Sequence, residues 1–263
     1  MTRSRRSPDL SGLNPQQRQG VLATTGPVLL LAGAGTGKTR VVTHRIAHLI
    51  ATGVEPARIL AVTFTNKASR EMRERVAALL GRLEAEAVTI GTFHSFCLRI
   101  LRRHIHLLGY SHSFAICGEG YQKGLIRTVM TELGLIGEGR DPGMWLGLIS
   151  KAKSALHGPD DVREYSWPFA AELAEAYEMY QRRLQQMDQV DFDDLLVLVL
   201  RLWQKYPDVL AKHRDQYQYL MVDEYQDTNS VQFQLVGTLA GERANLCVVG
   251  DDDQSIYGWR GAD

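Results

Sequence analysis

An eight-residue run, Ala32-Gly33-Ala34-Gly35-Thr36-Gly37-Lys38-Thr39, carries the most informative chemistry in this chain. Its glycines let backbone N–H groups turn inward, and a lysine and a threonine close it with an ammonium and a hydroxyl. A loop of that kind, opening a helix, suits phosphate oxygens, because the free amides and the helix field both favour an anion. Ala32, Gly33, Ala34, Gly35, Thr36, Gly37, Lys38, Thr39 and Arg40 are therefore candidate nucleotide-binding residues. Lys38 is spaced to reach the β- and γ-phosphates of a nucleotide such as ATP, and the Thr39 hydroxyl to ligate Mg²⁺. The strict GxxxxGK[ST] pattern has glycine where this chain has Ala32; the Gly37-Lys38-Thr39 end is intact.

Such a loop needs a carboxylate on a neighbouring strand. Tyr219-Leu220-Met221-Val222-Asp223-Glu224 supplies it, four apolar residues followed by two acids. Asp223 would hold Mg²⁺, directly or through water, and Glu224 would orient and deprotonate the attacking water. Loop and acids together point to hydrolysis of a nucleoside triphosphate.

These groups must be positioned by elements, and the apolar pattern gives them. Short, near-continuous apolar runs at 28–31, 59–63, 88–92, 219–222 and 246–249 read as strands covered on both faces of a parallel sheet. Helical spacing lies between them at 38–50, 67–80 and 95–108. The alternation predicts an α/β domain with its site at the strand ends. Residues 111–187 break the pattern, with helices expected at 121–133, 142–156 and 168–186. Asp141-Pro142 reads as an N-cap followed by proline at the first helical position. An all-helical subdomain is thus expected at 111–187, inserted between two segments of the α/β domain at 1–110 and 188–263. Further helices at 193–204 and 207–216 lead back to the sheet.

Composition sets the outer limits. The 263 residues are 44% hydrophobic and 23% charged, enough for a normal core. Lys plus Arg equals Asp plus Glu at 30 each, which excludes binding of nucleic acid by bulk attraction alone. The zero is a sum of opposed parts: residues 1–110 hold 16 basic and 6 acidic residues, whereas 219–263 hold 2 and 8. Three separated cysteines argue against a disulfide scaffold or zinc ribbon and for a reducing compartment. No apolar run nears the ~18 residues of a membrane span, and the basic N-terminus leads into no signal-like segment. No membrane partner and a cytoplasmic location are expected.

Several further segments give a specific likeness. Leu13-Asn14-Pro15-Gln16-Gln17, the phosphate loop, Thr63-Phe64-Thr65-Asn66-Lys67-Ala68 and Gly91-Thr92-Phe93-His94-Ser95-Phe96 follow one another in order. Asp191-Phe192-Asp193-Asp194-Leu195-Leu196, Asp223-Glu224-Tyr225-Gln226-Asp227 and the run from Gly250 to Asp263 complete the series. In this order they resemble the N-terminal part of the UvrD/PcrA/Rep group of superfamily 1 DNA helicases. The resemblance implies a RecA-like fold and ATP-driven 3′→5′ movement on single-stranded DNA, with single/double-strand junctions as a further partner and a setting in repair or replication. It assigns Gln17 to the adenine edge and Phe64, Tyr257 and Trp259 to base contacts. Thr65, Asn66 and His94 fall on the DNA backbone. Gln254 links the γ-phosphate to Tyr257 and Trp259, and Arg260 either joins that coupling or touches DNA.

Other residues carry plainer readings. Phe93 and Phe96 read as core, His44, His48, His104 and His106 as structural, and Arg99, Arg102 and Arg103 as a solvated face. Asp193 and Asp194 are either part of the re-entry segment's function or acids at a helix N-terminus. The resemblance also implies a second RecA-like domain, with arginines that reach the γ-phosphate, which this sequence does not contain. A feeble ATPase that does not unwind is therefore expected of the chain by itself. The alternatives are a stand-alone ATP-responsive module that binds single-stranded DNA or a partner without turnover, and the motor part of a helicase–nuclease subunit.

Overall fold

Five apolar runs do form one parallel sheet. The computed structural model describes residues 7–31, 33, 37–137 and 140–251. In chain order they form α1 (Pro15–Leu22), β1 (Val28–Leu31), α2 (Lys38–Ala51), β2 (Ile59–Thr63), α3 (Asn66–Leu80), α4 (Arg82–Ala87), β3 (Thr89–Thr92) and α5 (Phe93–His104). Next come β4 (Ala115–Ile116), α6 (Glu119–Glu132), α7 (Pro142–Ser154), α8 (Pro159–Glu164), α9 (Ala170–Gln186), β5 (Gln189–Val190) and α10 (Asp194–Lys205). The last are α11 (Pro207–Gln216), β6 (Tyr219–Val222), α12 (Ser230–Ala240) and β7 (Leu246–Gly250). The α/β class with a parallel sheet flanked by helices is as expected.

The chain divides into two compact units. The first comprises residues 1–96, 206–228 and 233–263, and the second 97–205 and 229–232. The divisions at 96/97 and 205/206 lie outside the expected 110/111 and 187/188. The second unit takes in most of α5 and all of α10, because α10 is tied by buried charges to α7, as described below.

In the first unit the strand order is β1-β7-β6-β2-β3, all parallel. The strand period of two sends Val28, Ala61, Ile90, Met221 and Cys247 to one face, where they meet Ile46 and Ile50 of α2 and Met72 and Val76 of α3. On the other face Leu60, Val62, Leu220 and Val222 meet Phe93, Phe96, Leu235 and Leu239 around an apolar cavity of about 20 Å³. Phe93 and Phe96 are core, as read from the sequence.

Strand β1 departs from the expectation of strands covered on both faces. Leu29 and Leu31 are 59% and 60% exposed, while Val28 and Leu30 pack inward. The reason is position: among the described residues β1 is an edge strand paired with β7 alone, and the helical residues on that face lie over β2 and β6.

Helix boundaries follow local chemistry. Thr65 caps α3, its Oγ1 accepting the Ala68 N–H at 3.1 Å, and Gly81 at φ 93° ends it. In the second unit Asp141 caps α7 with its carboxylate on the Met144 N–H at 3.0 Å, and Pro142 occupies the first turn as expected. The helices of this unit close around Trp145, Ile126, Met130, Leu173 and Tyr180, all fully buried.

That second core contains a charged knot. Lys153 Nζ, 1% exposed, donates to Asp191 Oδ2 at 2.6 Å and Asp194 Oδ1 at 2.7 Å. Tyr180 Oη and Gln181 Nε2 donate to the same two carboxylates, and Asp191 and Asp194 cap each other's backbone N–H groups. Burial opposes the ammonium, but the two carboxylates overcome it and hold Lys153 well above the usual lysine value. Asp194 thus does more than favour a helix dipole: it anchors α10 to α7.

Candidate nucleotide-binding site

Every sequence-nominated site residue among the described ones follows the C-terminal end of a sheet strand or sits on α1. Strand β1 leads through the phosphate loop to α2, β6 to Asp223 and Glu224, and β7 to Asp251. Strand β2 leads to Phe64, Thr65 and Asn66, and β3 to His94. Parallel strands send their C-terminal ends to one edge, where open α/β sheets bind ligands. Of the nominated residues, Ala32, Ala34, Gly35, Thr36, Gln254, Tyr257, Trp259 and Arg260 lie outside the described residues.

Gly37 sits at φ 85°, the left-handed region that glycine enters without a Cβ penalty, and the next residue starts α2. That turn delivers Lys38 and Thr39 to the acids of β6. Lys38 Nζ, 8% exposed, donates to Glu224 Oε2 at 3.3 Å and lies 3.7 Å from Asp251 Oδ2. Thr39 Oγ1 donates to Asp223 Oδ2 at 3.4 Å. Glu224 adopts the left-handed conformation, φ 53° and ψ 48°, rare for a residue with a long side chain. A tight turn, Tyr225–Asp227, follows it, with the Asp227 N–H on the Glu224 carbonyl at 3.0 Å.

Gln226 belongs to this site although its place in the sequence assigned it no role. Its Nε2 donates to Glu224 Oε2 at 2.7 Å, and its Oε1 accepts the Asp251 N–H at 3.0 Å. One amide therefore orients the Glu224 carboxylate and holds the end of β7. Gly250 makes room for it: a Cβ there would stand 2.9 Å from Gln226 Oε1. Asp251 was likewise unassigned. The available signal was a glycine ending an apolar strand just before a run of acids.

Asp223 is buried, and that burial, with the Glu224 charge beside it, pushes its pKa up to about 6. The Glu224 N–H at 3.1 Å, the Thr39 hydroxyl and Lys38 oppose the rise without cancelling it. A carboxyl raised in the folded state adds stability below its unfolded value, and that contribution is lost as pH rises through the folded value. The loss develops between pH about 4 and about 6 and is complete above that. Asp223→Asn is thus expected to be more stable than wild type at pH 8, by up to about 3 kcal/mol, and to lose that advantage by pH 4. Thermal unfolding of both proteins across this range checks it; a constant difference would place the cost elsewhere.

Gln17, the residue nominated for the base, sits on α1. Asn14 and Gln17 form a reciprocal cap, with Gln17 N–H on Asn14 Oδ1 at 2.8 Å and Asn14 N–H on Gln17 Oε1 at 3.0 Å. Gln17 Nε2 would lie 3.1 Å from a Cβ added at Gly37, so this amide stands against the end of the phosphate loop. Arg40 follows one turn along α2.

The residues nominated for DNA lie on two adjacent strand ends. Phe64 is half-buried and packs edge-on against Phe93 with centroids 5.7 Å apart. Thr65 and Asn66 are exposed and His94 is half-buried. Thr65 also has the capping task already described. Of the histidines and arginines given plainer readings, His44 is structural as read, whereas Arg102 is packed rather than merely solvated. His44 is buried with Nδ1 2.8 Å from the Arg40 carbonyl. Arg102 lies over the Phe114 ring at 4.1 Å and donates to its carbonyl at 2.6 Å.

A phosphate-loop lysine and threonine facing two acids at the edge of a parallel sheet define a RecA-like P-loop domain. Residues 13–263 match the family model described as the UvrD/REP helicase N-terminal domain, and the chain belongs to that family. It is similar to the ATP-dependent DNA helicase PcrA of Leuconostoc citreum, 49% identical over 254 residues that make up 96% of this chain and 34% of that protein. It is also similar to the PcrA of Bacillus subtilis (strain 168), 48% identical over 256 residues, 97% of this chain and 34% of that one. The PcrA of Staphylococcus aureus (strain Mu50 / ATCC 700699) is 46% identical over 256 residues, 97% of this chain and 35% of its own length. The chain spans about a third of the length of these relatives. Among the described residues no helix is long and apolar enough to cross a membrane.

Proposed function

We propose that this chain is the ATP-binding and hydrolysing part of an ATP-dependent 3′→5′ DNA helicase that moves on single-stranded DNA and meets single/double-strand junctions. The observation that carries the reading is the convergence of Lys38, Thr39, Asp223 and Glu224 at one edge of the sheet. Membership of the UvrD/REP helicase family and similarity to ATP-dependent DNA helicases support an ATP-driven helicase part. A cytoplasmic setting in repair or replication follows from the same likeness.

The residues suit the ligands. Thr39 Oγ1 and Asp223 Oδ2, hard oxygens 3.4 Å apart, fit Mg²⁺, which commonly takes one or two protein oxygens beside phosphates and waters. Among the described residues no group of three or more His, Cys, Asp and Glu is arranged to hold a metal. Bound Mg²⁺ would neutralise charge on the phosphates of ATP. Lys38 would exchange its carboxylate partners for phosphate oxygens. Glu224 Oε2, released by Lys38 and still oriented by Gln226, would accept the proton of the attacking water. Gln17 would read the adenine edge, with Gly33, Gly37 and Arg40 around the nucleotide. Phe64, Thr65, Asn66 and His94 would meet DNA, together with Tyr257, Trp259 and Arg260; a base stacked on an aromatic ring is worth ~1–3 kcal/mol. Gln254 would couple the γ-phosphate to those aromatics.

ATP hydrolysis by the chain, with and without single-stranded DNA and beside Lys38→Ala, tests the reading. Turnover stimulated by DNA and abolished by Lys38→Ala is expected. DNA binding without any turnover would point to a binding module instead.

Gly250→Ala offers a milder probe. Its Cβ would displace the Gln226 amide, so hydrolysis is expected to fall about ten-fold while ATP affinity stays within about two-fold. Equal loss in both would mean that Gln226 does not act through Glu224.

A further inference from the structure

Arg45 lies in the middle of α2 and is 1% exposed, yet its guanidinium makes no ion pair with a carboxylate among the described residues. Its Nη1 donates instead to the Gly20 carbonyl at 2.8 Å and to the Ala23 carbonyl. Both oxygens lie at the C-terminal end of α1, where helix carbonyls lack intrahelical partners and the field favours a cation. Burial pulls Arg45 below the ordinary arginine value, and its Nε is buried without a partner, so the residue is held at a cost. Leucine or methionine would fill that space without one.

Helix α1 has eight residues, too few to be stable alone, and its seat is small. Leu13, Val21 and Val41 form its apolar contact, and a Cβ on Gly20 would stand 2.8 Å from Leu30 Cδ2. The Asn14–Gln17 cap fixes one end of α1, and Arg45 fixes the other. Gln17 and Ala23 are about 9 Å apart along the axis, so a pivot at the Arg45 end moves Gln17 relative to Gly37.

We propose that Arg45 is a positioning residue that sets adenine selectivity, clamping the end of α1 so that the Gln17 amide is held against the phosphate loop. This rests on the reading of Gln17 as the adenine contact. A glutamine amide pairs bidentately with adenine, accepting from N6–H and donating to N7, whereas guanine presents two acceptors there, O6 and N7, and leaves the glutamine oxygen without a donor.

The experiment measures equilibrium binding of ATP, GTP and inorganic tripolyphosphate to wild type, Arg45→Met, Arg45→Lys, Gln17→Ala and the Arg45→Met/Gln17→Ala double variant, with folding followed by thermal unfolding. In Arg45→Met, ATP is expected to bind about ten-fold more weakly, with the ATP-over-GTP preference collapsing and tripolyphosphate within about two-fold of wild type. Arg45→Lys, which keeps a cation but not the fork, should fall between. Gln17→Ala should add nothing in the Arg45→Met background. Parallel loss of ATP and tripolyphosphate, or an unchanged ATP-over-GTP ratio, would overturn the proposal. So would unfolding of both Arg45 variants, which would assign the residue to folding alone. Failure of the underlying reading looks different: wild type would bind neither ATP nor tripolyphosphate, or Gln17→Ala would leave the ATP-over-GTP ratio intact.

Discussion

Glu224→Gln is expected to slow ATP hydrolysis by about 10²–10⁴-fold while nucleotide affinity holds or improves. Glutamine keeps the shape and can still meet Gln226, but it cannot take a proton. The gain in affinity has a separate cause. Lys38 pairs with Glu224 Oε2 at 3.3 Å and with Asp251 at 3.7 Å. Neutralising Glu224 removes one competitor for that ammonium and one negative charge near the arriving phosphates. Single-turnover hydrolysis and equilibrium titration with ATP separate the two effects. A variant that hydrolyses within about three-fold of wild type would mean the proton goes elsewhere.

The second large effect concerns stability. Lys153→Met would leave Asp191 and Asp194 buried together without their cation, and a broken buried pair of this sort costs about 3–5 kcal/mol. Methionine fills nearly the same space, so packing contributes little of that loss. The sign with pH distinguishes the cause. Burial already raises the Asp194 carboxyl against the pull of Lys153, and removing that cation raises it further, so the variant should regain stability relative to wild type as pH falls from 7 to 5. Urea unfolding at several pH values measures it. A loss under about 1 kcal/mol, or one independent of pH, would contradict a charge-based anchor.

The phosphate loop and the acids of β6 were legible because their chemistry is written contiguously: glycines, then Lys38-Thr39, and an apolar strand ending in Asp223-Glu224. The sheet was legible for the same reason, since the strands of a parallel sheet are apolar along their length. Where neighbours in space are far apart in sequence, the pattern gave less. Nothing local says that Lys153 meets Asp191, 38 positions on, or that this pairing draws α10 into the second unit. Gln226 stands inside a recognised motif, yet its task depends on the Asp251 N–H, 25 positions later. Helix α1, PQQRQGVL, is too polar for periodicity to reveal, and α12, SVQFQLVGTLA, too evenly apolar. The paired strands β4 and β5, two residues each, fall below any pattern length.

The pairing of Lys38 has a consequence for the order of arrival. Among the described residues the pocket gathers three carboxylates, Asp223, Glu224 and Asp251, around the Lys38 ammonium, and its excess of negative charge is greatest above pH about 6, where Asp223 is charged. A bare nucleotide is a polyanion and would meet like charge at the door. A divalent cation by itself would find only a hydroxyl and a carboxylate, a thin shell for an ion that parts reluctantly with water. Neither guest is well received alone. Their preformed complex, with about half of the nucleotide's charge cancelled, is the species expected to bind, and free nucleotide in excess of the metal should act as a poor competitor rather than a substrate.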